Sequence, residues 1–125
     1  MAVTATPIYP QAGKIESAQL TASDTTTETA ALCSGTANGK NVTQIEVISG
    51  STGPRPSSQL AINFYNGSTS RRKEIITLPG GPNAVQARLF LPTCWLGTGE
   101  SLKAQMLETL PSGATLDLIF HSQLY

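Results

Sequence analysis

The stretch Gln59–Leu78, QLAINFYNGSTSRRKEIITL, decides the fold class because it has the pattern of two β-strands joined by a tight turn. Leu60, Ile62 and Phe64 alternate with Ala, Asn and Tyr, and this two-residue period is typical of a strand with one buried face. The dipeptide Asn66-Gly67 interrupts the alternation, and it is a common turn in β-hairpins. The sequence therefore predicts a β-hairpin with a basic run beside its tip.

Short segments with the same period follow one another from Glu16 to the C-terminus, and turn residues separate them. Between two of these segments, Asn38 and Gly39 can both adopt positive φ in a tight turn. No readable segment has the period of a helix, and about seven to nine strands with this spacing predict an all-β protein, an antiparallel β-sandwich or jelly roll. The residues predicted to point inward include Ile45, Val47, Ser49, Val85, Ala87, Leu89, Leu91, Leu102, Ala104, Met106, Leu116, Leu118 and Phe120.

The first residues, MAVTATPIYPQAGK, show neither period, and their two prolines push the preceding residues toward extended geometry. This composition predicts either an extended N-terminal arm or a disordered tail. Ile8 and Tyr9 favour the arm, because a solvated tail seldom carries an aliphatic and an aromatic residue side by side. The predicted organisation is an extended N-terminal arm over residues 1–15 and a β-sandwich domain over residues 16–125.

The composition limits the classes of function. The chain has 125 residues, which suits one domain, and its eight basic residues balance its eight acidic ones. A neutral chain is not expected to bind nucleic acid or an anionic membrane through its overall charge. Charged residues are only 13% of the chain, and such a weakly charged surface suits a protein that enters an assembly. The sequence shows neither a signal peptide nor a membrane span, so Cys33 and Cys94 are expected to be buried thiols, with a disulfide as the alternative.

Few residues of this chain are suited to catalysis. His121 is the only histidine, and a triad with Asp24 or Asp117 would lack the Gly-x-Ser-x-Gly turn that presents a nucleophilic serine. Cys94 precedes Trp95 in an apolar stretch, where a buried thiol is expected rather than a nucleophile activated by His121. We therefore predict that the protein is not an enzyme and has no catalytic, cofactor-binding or metal-binding residues.

Arg71, Arg72 and Lys73 form the one cluster of like charge in the sequence. A nucleic-acid site would normally add further basic residues and aromatic side chains on which bases stack. We predict instead that the cluster stays solvated or contacts an acidic neighbouring subunit. With Ile8 and Tyr9, these three cations are the predicted partner-binding residues.

Four segments of the chain together resemble a family of small bacteriophage virion proteins. The segment ALCSGTANGKNVTQIEVISGSTG has a short strand, an A-N-G turn and a strand of the form V-x-x-I-x-V. The segment QLAINFYNGSTSRRKEIITLP resembles the family hairpin L-x-I-F-x-Y-N-G, and ARLFLPTCWLGTGESLKAQM resembles its Leu-Pro, Gly and S-L-x-A passage. The closing GATLDLIFHSQLY is similar to the last strand of the family. The likeness runs from about Thr21 to Tyr125, although Cys94-Trp95 stands where the family more often has small or aliphatic residues.

The resemblance implies a non-enzymatic structural component of the virion, most simply a capsid decoration (cement) protein on the capsid surface. The expected partner is the major capsid protein, bound by a homo-oligomer for which a trimer is the favoured state, because a shell has local three-fold axes. Such a protein would be made in the cytoplasm of the bacterial host and would need no cofactor. Two alternatives remain, a tail- or fibre-associated adaptor and a receptor- or carbohydrate-binding module. A fully buried Trp95 would argue against carbohydrate binding.

Overall fold

The computed structural model describes residues 12–50, 57–78, 86–90 and 94–125, which form nine β-strands and one short 3-10 turn, Ala22–Asp24. No α-helix occurs in these residues, so the predicted all-β class is confirmed. The strands are β1 (Ala12–Thr21), β2 (Cys33–Ser34), β3 (Lys40–Gly50), β4 (Ser58–Tyr65), β5 (Ser70–Leu78), β6 (Gln86–Phe90), β7 (Trp95–Leu96), β8 (Ser101–Met106) and β9 (Thr115–Leu124).

The strands form two antiparallel sheets that enclose one core. Sheet A has five strands in the order β1-β9-β3-β6, with β7 also paired to β3. Sheet B has four strands in the order β2-β8-β4-β5. Apart from the β4–β5 hairpin, paired strands are not consecutive in the sequence, so the chain passes repeatedly between the sheets. The predicted antiparallel β-sandwich is confirmed.

The hydrophobic core follows the predicted two-residue period. On β9 and β8, buried residues alternate with partly exposed ones, and the buried apolar residues of both strands belong to one cluster between the sheets. Each large apolar side chain buried in this way contributes about 1.5–3 kcal/mol relative to an exposed one. Ala87 and Leu89 lie in register with buried residues of β3, whereas Val85 and Leu91 fall outside the described residues. The remaining inward predictions are confirmed by burial: Ile45, Val47, Ser49, Leu102, Ala104, Met106, Leu116, Leu118 and Phe120.

Strand β4 departs from simple alternation because it is buried on both faces. Its core-facing residues belong to the core or pack against it, as predicted, but Ala61 and Asn63 on the opposite face are buried as well. The Asn63 side chain donates hydrogen bonds from Nδ2 to the Glu28 carboxylate at 2.7 Å and to the Gln105 amide oxygen at 3.3 Å. Glu28, from the loop before β2, thereby covers the outer face of sheet B at this point.

The predicted turn at Asn38-Gly39 forms, but only its glycine adopts positive φ. Gly39 has φ +96°, and Asn38 is not among the described residues with positive φ. The Gly39 N–H donates to the Thr36 carbonyl oxygen at 3.1 Å, which makes Gly39 the fourth residue of the turn. A type I turn places only ordinary negative φ values at its two central positions, so Asn38 does not need the left-handed region.

A buried ion pair lies inside the sandwich close to this turn. Lys40 of β3 is 1% exposed, and its Nζ pairs with the Glu16 carboxylate of β1. The Cys33 thiol of β2 donates to the same carboxylate oxygen at 3.5 Å. Burial raises the pKa of Cys33 to about 12, so the sulfur is protonated at neutral pH. Cys33 and Cys94 are both free and buried, which confirms the prediction of thiols.

The predicted N-terminal arm, residues 1–15, overlaps the first strand. Residues 12–15 belong to β1 and pair with β9, so these four residues are part of the sandwich. Ile8 and Tyr9 lie outside the described residues. No helix in the described part of the chain is long and apolar enough to cross a membrane.

Candidate partner-binding surfaces

The β4–β5 hairpin positions the predicted basic run, and Asn66 closes its turn. The Asn66 N–H donates to the Thr69 carbonyl oxygen at 3.3 Å. The Asn66 Oδ1 accepts the main-chain N–H groups of Ser68 at 3.3 Å and of Thr69 at 3.0 Å. Gly67 has φ +91°, a conformation that glycine adopts without strain. The hairpin predicted from Asn66-Gly67 is thus confirmed.

The basic run occupies the first half of β5, at one edge of sheet B. Within the described residues, β5 pairs with β4 alone. Arg71, Arg72 and Lys73 are exposed, and none of the ion pairs between described residues includes them. The three cations are therefore accessible to another molecule.

A β-bulge divides this basic run. Arg71 and Arg72 are opposite consecutive residues of β4, whereas Lys73 has no opposite residue there. Consecutive register positions belong to opposite faces of a sheet, so Arg71 and Arg72 flank the edge on its two sides. Together with the bulged Lys73 they form a rim, which we call the cationic edge (Arg71, Arg72 and Lys73). It can contact an acidic surface from the side of the sandwich, but it does not form a patch on one face.

Lys73 of the cationic edge lies close enough to Cys94, the residue before β7, to affect the pKa of its buried thiol. Burial raises the pKa of the Cys94 thiol, and the positive charge of Lys73 opposes part of this rise, while Glu100 adds to it. Cys94 is 4% exposed and belongs to the core. A protonated and buried sulfur is a poor nucleophile, in agreement with the prediction of a buried thiol at this position.

A polar network on the outer face of sheet B is centred on Glu28. Besides Asn63, the carboxylate accepts the Ser70 hydroxyl at 2.8 Å and lies 3.8 Å from Lys103 Nζ. Burial would raise the pKa of Glu28, but the hydrogen bonds and Lys103 outweigh this effect and lower it. Lys103 Nζ also lies 3.6 Å from the centre of the Tyr65 ring. These contacts fasten the loop before β2 to three strands of sheet B.

The outer face of sheet A carries the one histidine of the sequence, in a polar cluster. His121 Nε2 lies 2.5 Å from a Glu46 carboxylate oxygen, and Arg88 Nε lies 3.7 Å from the other oxygen of Glu46. Asp117, on the same face of β9, accepts a hydrogen bond from Gln19 Nε2 at 2.9 Å. Each group is thus occupied by a neighbour across the sheet, as expected for a polar sheet surface.

Sequence reasoning left the role of Trp95 open, and the structure places this residue at the surface. Trp95 is 49% exposed, and its ring lies against Tyr125 with the ring centroids 4.7 Å apart and the planes at 50°. We call Trp95 and Tyr125 the aromatic pair. The signal was present in the sequence, because Cys94 and Leu96 flank Trp95 and are buried, so alternation along β7 directs the ring outward.

No group of three or more His, Cys, Asp or Glu side chains within the described residues is arranged to hold a metal ion. The groups that the described surface offers to other molecules are instead the cationic edge on sheet B and the aromatic pair on sheet A. Ile75 on β5 and Ile15 on β1 add exposed aliphatic side chains, one to each sheet.

This chain resembles known proteins in its fold but not in its sequence. No protein-family model and no curated protein matches the sequence. Among solved structures, a chain from the "acidic stable capsid structure" of Helicobacter pylori bacteriophage KHP30 aligns with a TM-score of 0.56 and 12% identity, over 93% of this chain and 90% of that chain. A carbohydrate-binding module from glycoside hydrolase family 9 (Cel9A) of Ruminococcus flavefaciens FD-1 aligns with a TM-score of 0.49 and 8% identity, over 88% and 84% of the two chains. At 12% identity, the first likeness concerns the β-sandwich fold.

Proposed function

We propose that this protein is a non-enzymatic structural component of a phage virion, a capsid decoration (cement) protein that binds the major capsid protein on the capsid surface. The observation that carries the proposal is the alignment of nearly the whole sandwich, 93% of this chain, with 90% of a chain in a phage capsid structure. The match therefore extends over most of the sandwich and is not limited to a local motif.

The physical character of the molecule supports this function. A decoration protein needs a rigid body and accessible contacts more than it needs a deep site. The long pairings of β9 with β1 and β3 supply rigidity, and the Glu28 network fixes the loop on the other sheet. Among the residues weighed for catalysis, Cys94 is a buried thiol, and His121 and Asp117 are hydrogen-bonded to neighbours.

Capsid binding on this proposal uses several modest contacts. The cationic edge meets an acidic region of the major capsid protein, and Ile8 and Tyr9 anchor the N-terminal arm to an apolar groove or a sheet edge. A homo-oligomer, with a trimer favoured, repeats these contacts around a local three-fold axis of the shell. Simultaneous engagement of linked sites raises the overall affinity by about 10² to 10⁴.

The test is co-sedimentation of the purified protein with capsid shells that lack it. One variant deletes residues 1–11, which leaves β1 complete from Ala12 onward. A second variant carries Arg71→Glu and Arg72→Glu. We expect both variants to remain folded and to occupy fewer sites, and we expect the charge reversal to reduce the salt dependence of binding.

The matched control is Lys14→Glu, which reverses an exposed charge on β1, in the other sheet from the cationic edge. This variant should bind shells like the unmodified protein. Unchanged occupancy for both the deletion and the double charge reversal would reject the proposed contacts. Binding to tails or fibres but not to shells would reject the decoration role in favour of an adaptor.

A further inference from the structure

The aromatic pair has the geometry of a ligand platform and not of core packing. Trp95 keeps 49% of its surface exposed although its neighbours Cys94 and Leu96 are buried. Tyr125 lies against it at a centroid distance of 4.7 Å with the ring planes at 50°, so the two rings form the two sides of an aromatic corner. Aromatic side chains supply a large contact area, and exposing that area to water is unfavourable unless a ligand covers it.

Gly39 lies next to both residues of the aromatic pair. The Tyr125 N–H donates to the Gly39 carbonyl oxygen at 3.2 Å, so Tyr125 extends β9 beside the turn that precedes β3. A Cβ atom at position 39 would lie 3.4 Å from Trp95 Cε3, and the φ of +96° is one that other residues rarely adopt. The Trp95 ring therefore lies beside main chain that carries no side chain at position 39.

Beside the aromatic pair runs a row of neutral polar residues. Trp95 is opposite Asn41, Asn41 is opposite Gln123, and Gln123 is opposite Gly13, so this row crosses four strands of sheet A. The Asn41 Oδ1 accepts the Cys94 N–H at 3.3 Å, and the Gln123 Oε1 accepts the Tyr125 hydroxyl at 3.4 Å. With their oxygens engaged in this way, the two amide groups direct their –NH₂ donors to other acceptors.

We propose that the aromatic pair, together with Asn41 and Gln123, forms a binding site for a neutral oligosaccharide. The apolar face of a sugar ring stacks on Trp95 and its edge contacts the inclined ring of Tyr125, while sugar hydroxyls accept hydrogen bonds from the two amide groups. The absence of charge in the row of Trp95, Asn41, Gln123 and Gly13 matches an uncharged ligand better than an acidic peptide or a nucleic acid. A few polar groups beside an aromatic surface are the usual composition of a small-ligand site.

This site goes beyond the proposed capsid role and does not depend on it. The cationic edge belongs to sheet B and the aromatic pair to sheet A, so one protein can engage a shell and a glycan through different surfaces. Failure of either activity leaves the test of the other intact.

The experiment uses the intrinsic fluorescence of Trp95, which is the only tryptophan of the chain and therefore reports on the site without a label. The full-length protein is titrated with maltohexaose, cellohexaose and the hexamer of N-acetylglucosamine. We expect a saturable change of the emission with at least one of the three sugars. Tyr125→Ala removes one stacking surface and should weaken binding up to about tenfold.

Two further variants complete the design. Trp95→Ala, followed by isothermal titration calorimetry because the fluorophore is lost, should abolish the measured binding. Ile75→Ala truncates an exposed side chain on sheet B and should bind like the unmodified protein. Circular dichroism of each variant establishes that the sandwich is intact.

The proposal is overturned if none of the three sugars changes the emission up to about 10 mM, which is about ten times a Kd of 1 mM. It is also overturned if Tyr125→Ala is folded and binds sugar with unchanged affinity. An emission shift that occurs with capsid shells and with no sugar would reassign the aromatic pair to a protein contact and reject the glycan site.

Discussion

Removal of the charge of Glu16 should destabilise the protein strongly, because this carboxylate neutralises the buried ammonium group of Lys40. The substitution Glu16→Gln keeps the shape of the side chain and leaves Lys40, which is 1% exposed, without a counter-charge. Breaking a fully buried pair typically costs about 3–5 kcal/mol. The Glu16 side chain retains 22% exposure, so we expect a loss of about 2–3 kcal/mol in the free energy of unfolding. For a domain of this size that loss lowers the midpoint of thermal unfolding by about 8–11 °C.

The partner substitution Lys40→Met should have a much smaller effect. Methionine fills a similar volume without a charge, and the Glu16 carboxylate that remains keeps the Cys33 thiol as a donor and some contact with water. We expect Lys40→Met to stay within about 1 kcal/mol of the unmodified protein. In the Lys40→Met background, Glu16→Gln should then cost almost nothing, because no buried cation is left for the carboxylate to neutralise.

The assay is equilibrium unfolding in urea, followed by circular dichroism, for the unmodified protein, both single variants and the double variant. The double-mutant cycle should give a coupling of about 2 kcal/mol between the two positions. A cost below about 0.5 kcal/mol for Glu16→Gln, or the same cost in both backgrounds, would refute the reasoning, since either outcome means that the ammonium group is solvated.

Two other predictions follow from groups with shifted pKa values. Because the folded pKa of Glu28 lies below its unfolded value, its stabilising effect is complete above about pH 4.3 and is lost as the pH falls through the folded pKa. The difference in urea midpoint between the unmodified protein and Glu28→Gln should therefore shrink on acidification, and a difference independent of pH would contradict the assignment. Burial raises the pKa of Cys33 to about 12 and also raises that of Cys94, so both thiols should react with iodoacetamide at pH 8 only after denaturation. Mass spectrometry measures the labelling, and rapid modification of the folded protein would show that the thiols are accessible.

The sequence predicted the fold class correctly where each strand buries one face. On β8 and β9 apolar and polar residues alternate in the sequence, and the structure buries the faces that this alternation predicts. On β4 the alternation was misleading, because Asn63 is buried by Glu28, a residue far away in the sequence. Burial on the outer face of a sheet depends on which loop crosses it, and this information is not present in the local pattern.

The candidate surfaces were less predictable than the fold. The run from Arg71 to Lys73 was identified from composition, but its division by a bulge depends on the register with β4. A lysine that directly follows a turn, as Lys40 does, is normally expected to be solvated. Its burial is explained only by the ion pair with Glu16, which belongs to another strand. The aromatic pair consists of Trp95 and Tyr125, which are 30 residues apart in the sequence. No local pattern in either segment predicts that their side chains are in contact.

The β-bulge at Lys73 hinders copies of the protein from associating through the edge strand β5. A long, regular outer strand can recruit the same strand of another copy and so start open-ended polymerisation. On β5, the surplus residue breaks the even spacing of main-chain groups, and two arginines and a lysine would repel an identical set on an incoming copy. Copies of the protein can therefore reach a high local concentration without joining through this edge into fibres.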